Sequence, residues 1–230
     1  MDIAAFNELS SAQHGMFSLQ QLHLLGATKA GTHAAVAAGR WERHHPTVYG
    51  LAGHHESWRR SLWAAHLHAG EHCPIGMDSA GRIHGYPQAF RGTVDLIVTV
   101  DMVRPPEHVR WFRRSDLLAD DIVRIDGLPP VTSPTRTTVD LAGRMHVATL
   151  RQLVEHGLNE QHYRTVDLGI LLDRVRRSGK NGVRRMGQVL DDLDAHTCVE
   201  AILQDLDATH MEIRASGGIR RRILLHAMED

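Results

Sequence analysis

Lysine is nearly missing from this 230-residue chain: of 26 basic residues only Lys29 and Lys180 are lysine, a scarcity that reads as a coding bias toward arginine rather than a function. An excess of charge is missing too. The formal net charge is -1, which excludes a uniformly basic coat, so any contact with nucleic acid has to come from a local patch. Cysteine is limited to Cys73 and Cys198 with no CxxC spacing, which excludes a disulfide framework and sets the expected compartment as the reducing cytoplasm. No run approaches the roughly 18–20 unbroken apolar residues of a membrane span. The opening Met1-Asp2-Ile3-Ala4-Ala5-Phe6 has no basic segment ahead of an apolar one, so neither a membrane partner nor a secretory signal is expected.

What is there is ordinary for a soluble chain. Hydrophobic residues make up 42%, charged residues 23%, and the mean hydropathy is -0.27, which argues against disorder. The length suits one large domain or two to three small ones. Histidine is the exception, with 18 copies, grouped as His44-His45, His54-His55, His66-Leu67-His68 and His72-Cys73. A zinc site needs three or four ligands at fixed spacing. HLH puts its rings on different helix faces, and no HExxH occurs. His68 and His72 at i, i+4 beside Cys73 come nearest, yet the set falls short. Solvated surface histidines, no metal and no cofactor are the expectation.

Periodicity predicts three short helices and a hairpin in the first fifty residues. Ile3, Phe6 and Leu9 form one apolar stripe, stopped by Gly15. Ser18 caps a helix over Leu19–Leu25 closed by Gly26, and Thr28 caps another over Lys29–Ala38 closed by Gly39. Trp41 and Val48-Tyr49 flank a polar turn at His44-His45-Pro46-Thr47, as in an antiparallel ribbon. Beyond it, Trp58, Leu62, Ala65 and Leu67 predict a helix ending at Gly70, and Asp78 starts a shorter one over Ser79–His84. Strands are predicted at Thr93–Val100, Val109–Arg113 and Ile122–Ile125. Ser133-Pro134 opens a helix with proline at its first position. From Ala148 to about Leu206 the pattern is helical.

The expected class is therefore α+β. It divides into a winged helix-turn-helix over 1–53, a mixed helix and sheet region over 54–145, and a helical region over 146–230. In a winged helix the third helix enters the major groove and the ribbon touches the flanking backbone. Thr32 and Val36 are placed toward the core, which leaves Lys29, His33 and Ala37 outward. Alanines there permit close approach and contact with thymine methyl groups. Arg40, Arg43 and His44 fall where a wing meets phosphates. The candidate DNA-binding residues are thus Lys29, His33, Arg40, Arg43 and His44, with Arg59 and Arg60 as further phosphate contacts.

The segment GATKAGTHAAVAAGRWERHHPTVYGLAG resembles the N-terminal domain of the AbiEi-type antitoxin family, whose recognition helix ends in Gly-Arg-Trp and whose wing ends in Val-Tyr and a small apolar pair. The resemblance continues through MDSAGRIHGYP, VDLIVTV and LPPVTSPTRTTVDLAG, covering roughly Ala4 to Gly143. It implies a DNA-binding module that regulates its own operon, with double-stranded operator DNA as partner. It also implies a cognate nucleotidyltransferase-like toxin acting at operon level, of the type IV kind without stable direct binding. Two departures stand out. Ala34, Ala35 and Ala37 occupy places where family members often carry arginine, and Thr47 stands where a glycine usually precedes Val-Tyr. Both imply modest affinity.

Other candidates are weaker. Many relatives of the family carry an endonuclease-like C-terminal domain, but Glu200, Asp205, Asp207 and Glu212 have no strand pair or adjacent lysine to frame them, so no enzyme activity is expected. Arg136 and Asp140, four apart, fit a helical or partly buried ion pair. Ser133 reads as a cap rather than a nucleophile. Arg174, Arg176 and Arg177 with Arg184 and Arg185 form a basic stretch lacking GxxxxGK[ST]. A winged helix that no longer binds DNA and serves protein interaction is the runner-up.

Overall fold

The computed structural model describes residues 1–87, 92–99, 105–176 and 182–194. Side-chain caps set the helix starts. Helix α1 (Ile3–Ala12) begins where Asp2 accepts the Ala5 amide at 3.1 Å, and the chain leaves it through His14 and Gly15, both at positive φ. Strand β1 (Met16–Ser18) follows. Helix α2 (Leu19–Leu24) opens with a reciprocal Ser18–Gln21 capping box, and α3 (Lys29–Ala37) with Thr28 accepting from the Gly31 amide. Gly39, at φ 67°, turns the chain into β2 (Trp41–His45), which pairs with β3 (Val48–Leu51). The sheet order is β1-β3-β2, antiparallel throughout, with a bulge between Arg43 and His45.

This sheet has two covered faces, as the period of two along each strand requires. Phe17, Trp41 and Tyr49 turn toward the N-terminal helices and join Phe6, Leu22 and Ala35 in one core. Phe6, Phe17 and Trp41 meet with centroids 5.0–5.6 Å apart, each pair adding about 0.5–1.5 kcal/mol beyond its buried area. Met16 and Val48 turn the other way, onto Ala64, Trp63 and Leu67 of α4 (Trp58–Ala69).

Helix α4 is itself buried on two sides. Its Leu62 and Ala65 belong to a second core with Val94, Leu96 and Val98 of β4 (Val94–Val98), which follows α5 (Met77–Ile83) in the chain. Strand β5 (Val109–Arg113) lies parallel to β4, while β6 (Ile122–Val123) and β7 (Val131–Thr132) form an antiparallel pair. Ile75 bridges to both Leu96 and Val131, tying the two pairs into one sheet. On the face away from α4, Ile97 packs with Met77, Tyr86, Leu141 and Leu153. Met77 comes from α5, Tyr86 from the turn after it, Leu141 from α6 (Pro134–Leu141) and Leu153 from α7 (Val147–Asn159). The fold is mixed α+β.

The helical stretch after residue 148 is broken at 160–164 before α8 (Thr165–Val175), and a further helix covers 182–194. Residues 1–186 form one compact unit and 187–230 a second, of which 187–194 are described. Glu200, Asp205, Asp207 and Glu212 lie outside the described residues. Strand β1, and β7 likewise, carry no recognisable alternation because two or three residues are too few to show one.

Candidate nucleic-acid interface

The residues singled out for DNA contact divide into two groups. Lys29 and His33, one turn apart on α3, are exposed together with Ala30, Ala34 and Ala37, while Thr32 and Ala35 are buried. The outward face is therefore Lys29-Ala30-His33-Ala34-Ala37, with Ala35 on the core side rather than outside. Arg40 is exposed just beyond the helix. Arg43 is exposed on β2, and its guanidinium spans the hairpin turn, donating to the Pro46 carbonyl at 2.9 Å and the His45 carbonyl at 3.4 Å. That bond fixes the arginine at the ribbon tip while leaving donors for another acceptor.

His44 and Arg60 belong to the second group and do not face outward. Arg60 is 1% exposed, which removes it from the expected phosphate contacts. It sits on the inner side of α4, where its Nη1 donates to the His14 carbonyl at 3.4 Å and its Nη2 to the Leu51 carbonyl at 3.1 Å. Nη2 also lies 3.2 Å from His44 Nε2, and Glu56 stands 3.3 Å from Nε. Gly50 makes the space: a Cβ there collides with the Arg60 guanidinium and falls 2.9 Å from His44 Nε2. Burial, then the Arg60 charge, holds the His44 pKa below its ordinary value against the pull of Glu56 and Glu42.

Of the grouped histidines expected to be solvated, His54, His55 and His72 are exposed, whereas His44, His45 and His68 are half-buried and His66 is buried around α4. His66 is buried and donates from Nδ1 to the Cys73 carbonyl at 2.9 Å. His45 and His68 stack at 4.7 Å between centroids. Burial, followed by the neighbouring His68 and His44, pushes the His45 pKa down to about 4. Among the described residues no group of three His, Cys, Asp or Glu side chains is placed to hold a metal ion.

Several arginines elsewhere are tied to carboxylates. Arg136, with 0% exposure, reaches Asp116, Asp121 and Asp140 at 2.7–3.1 Å, so the i, i+4 pair is wholly buried rather than partly so. Arg114 holds Asp140 at 2.7 Å, and Arg174 pairs with Asp121. Arg110 clasps Asp95 through two bonds at 2.7 and 2.9 Å and reaches Asp78 at 3.2 Å. Within the basic stretch, Arg176 pairs with Asp173 and Arg185 donates to the Gly143 and Met145 carbonyls. Residues 177–181, Arg177 among them, lie outside the described residues. Ser133 caps α6 by accepting the Arg136 amide. An apolar groove of about 380 Å³ also runs between α1 and α2, lined by Ala5, Leu9, Ala12 and Leu25, with Leu24 79% exposed at its rim.

No family model and no curated protein matches the chain. Among solved structures, the crystal structure of the RV2827C protein from Mycobacterium tuberculosis is similar at 16% identity. The likeness covers 81% of this chain and 75% of that one, with a TM-score of 0.48. Likeness of that degree assigns no function.

Among the described residues no helix is long and apolar enough to cross a membrane.

Proposed function

We propose that residues 1–53 act as a winged helix-turn-helix that binds double-stranded DNA, and that the chain is a transcriptional regulator rather than an enzyme. One observation carries the reading. Among the described residues, Lys29, Arg40, Arg43 and Arg59 are exposed and none is held in an ion pair, whereas Arg110, Arg114, Arg136, Arg151, Arg164, Arg174 and Arg176 each pair with Asp or Glu. Among the described residues, this short N-terminal segment thus gathers four accessible cations in a chain whose net charge is -1. The element order α1-β1-α2-α3-β2-β3 supports the same reading, because it places a helix with small outward residues beside a hairpin tipped by Arg43. Lys29 and His33 reach into the groove, and Arg40 and Arg43 hold phosphates on either side.

The antitoxin role is proposed on the sequence resemblance alone: an autoregulator of its operon, acting in the cytoplasm beside a nucleotidyltransferase-like toxin. Arg43→Ala tests the mechanism. It should weaken binding to every sequence about equally and reduce the slope of log affinity against log salt by about one unit. An unchanged slope removes Arg43 from the interface. A second reading, a protein-interaction module, draws support from the apolar groove at Leu24.

A further inference from the structure

We propose that the seat of the β2–β3 hairpin on α4 is a proton-sensitive clamp, closed while His44 and His45 are neutral and released when they take up protons. The geometry of the seat carries this. An arginine side chain has donors only, so the contact between Arg60 Nη2 and His44 Nε2 at 3.2 Å requires a lone pair on Nε2 and hence a neutral His44 with its proton on Nδ1. Protonating His44 destroys that bond and sets two cations against each other in the slot opened by Gly50. One residue along, across the bulge, His45 lies against His68 of α4, and two charged imidazoles at 4.7 Å repel. Both latches join the same hairpin to the same helix.

The groups facing the latches are few. His44 faces Arg60 on α4, Glu56 just before it and Glu42 on its own strand, the two glutamates favouring the charged form and burial with Arg60 opposing it. His45 faces His68 and His44, both of which oppose its protonation. Burial also lowers His68, beside a cleft that includes His23 and Glu71. All three are held below the ordinary histidine value of 6.5 in the seated form. The stabilisation is therefore complete above that value and declines as pH falls below it, toward about 4 for His45. As regulation of DNA contact, the clamp rests on the reading of the hairpin as a wing; as a structural device it does not.

Amide hydrogen exchange on the full chain, corrected for the intrinsic effect of pH, tests the clamp directly. Between about pH 7.5 and about pH 5.5 the protection of residues 41–51 should fall about tenfold, the equivalent of one unit of linked pKa, while Val147–Asn159 keeps its protection. The double variant His44→Gln, His45→Phe retains an acceptor for Arg60 and a ring against His68 but no proton site on the hairpin, so with only His68 left to titrate in the seat its hairpin protection should fall by clearly less than in the natural chain. Unchanged protection in the natural chain, an equal fall in the double variant, or an equal fall across α7 each overturns the clamp. Should the variant not fold, ring titrations of the natural chain decide. His44 and His45 midpoints below 6.5 that coincide with hairpin amide shifts support it, and midpoints near 6.5 without such shifts overturn it. DNA anisotropy at the same two pH values separates the two claims, since failure to bind at either pH removes the wing reading and leaves exchange to judge the clamp.

Discussion

Arg59 and Arg60 are adjacent, chemically identical and placed oppositely, one exposed and the other 1% exposed. A helical step of about 100° separates them. The signal was present in part: Arg60 lies four residues before Ala64, on a second stripe of α4 that the stripe of Leu62 and Ala65 does not include. What periodicity lacked was a reason to bury an arginine, and that reason is long-range. The His14 carbonyl, in the turn ahead of β1, and the Leu51 carbonyl, at the end of β3, point at the guanidinium from 46 and 9 residues away in the chain. Arg60→Ala should therefore cost about 2–4 kcal/mol in urea unfolding, since two carbonyls lose a charged donor. Gly50→Ala should cost about 1–3 kcal/mol by overpacking the same slot. In the Arg60→Ala background the Gly50→Ala penalty should shrink, with a coupling of at least about 0.5 kcal/mol. Additive losses would mean that Gly50 matters for some reason other than the guanidinium.

Among the elements, starts and stops were legible wherever a side chain or a glycine sets them locally. Ser18, Thr28 and the Ser133-Pro134 pair cap α2, α3 and α6, and Gly15, Gly26 and Gly39 turn the chain at positive φ. Strand β1 was not legible, although it completes the sheet, because its three residues are defined by partners at Val48–Gly50. Ala35 was assigned outward and is buried, a shift of one position that follows from how α3 packs on Trp41 and Phe6. The outward face of α3 remains small and weakly charged, so charge rather than fit should limit its affinity. Ala34→Arg with Ala37→Arg, both exposed and both tolerated by helix propensity, should tighten binding to any duplex and steepen the salt slope by up to roughly 1.8 units. Anisotropy over a salt series reads both. No change in slope would place that face away from DNA.

For the whole molecule, charge is sorted by region rather than in amount. In the middle region Arg110, Arg114 and Arg136 close into networks with the buried Asp95, Asp121 and Asp140, where neutrality is required by the low dielectric. The N-terminal segment keeps its cations accessible. Composition alone showed only that the two signs nearly cancel; the pairing of Arg136 with Asp140 was visible as spacing, whereas Arg110 with Asp95 depends on the parallel register of β4 and β5. Histidine misled for the same reason, since abundance says nothing of burial, and its clustering at the seat of the hairpin is a property of the assembled sheet and α4.

The central claim is that this segregated charge binds DNA, and fluorescence anisotropy on the full chain tests it most directly. A duplex from upstream of its own coding region is compared with a scrambled duplex over a salt series. The account predicts tighter binding to the upstream duplex, with affinity falling as salt rises at a slope set by about four phosphate contacts. Equal, weak binding to both duplexes with no dependence on salt would contradict it.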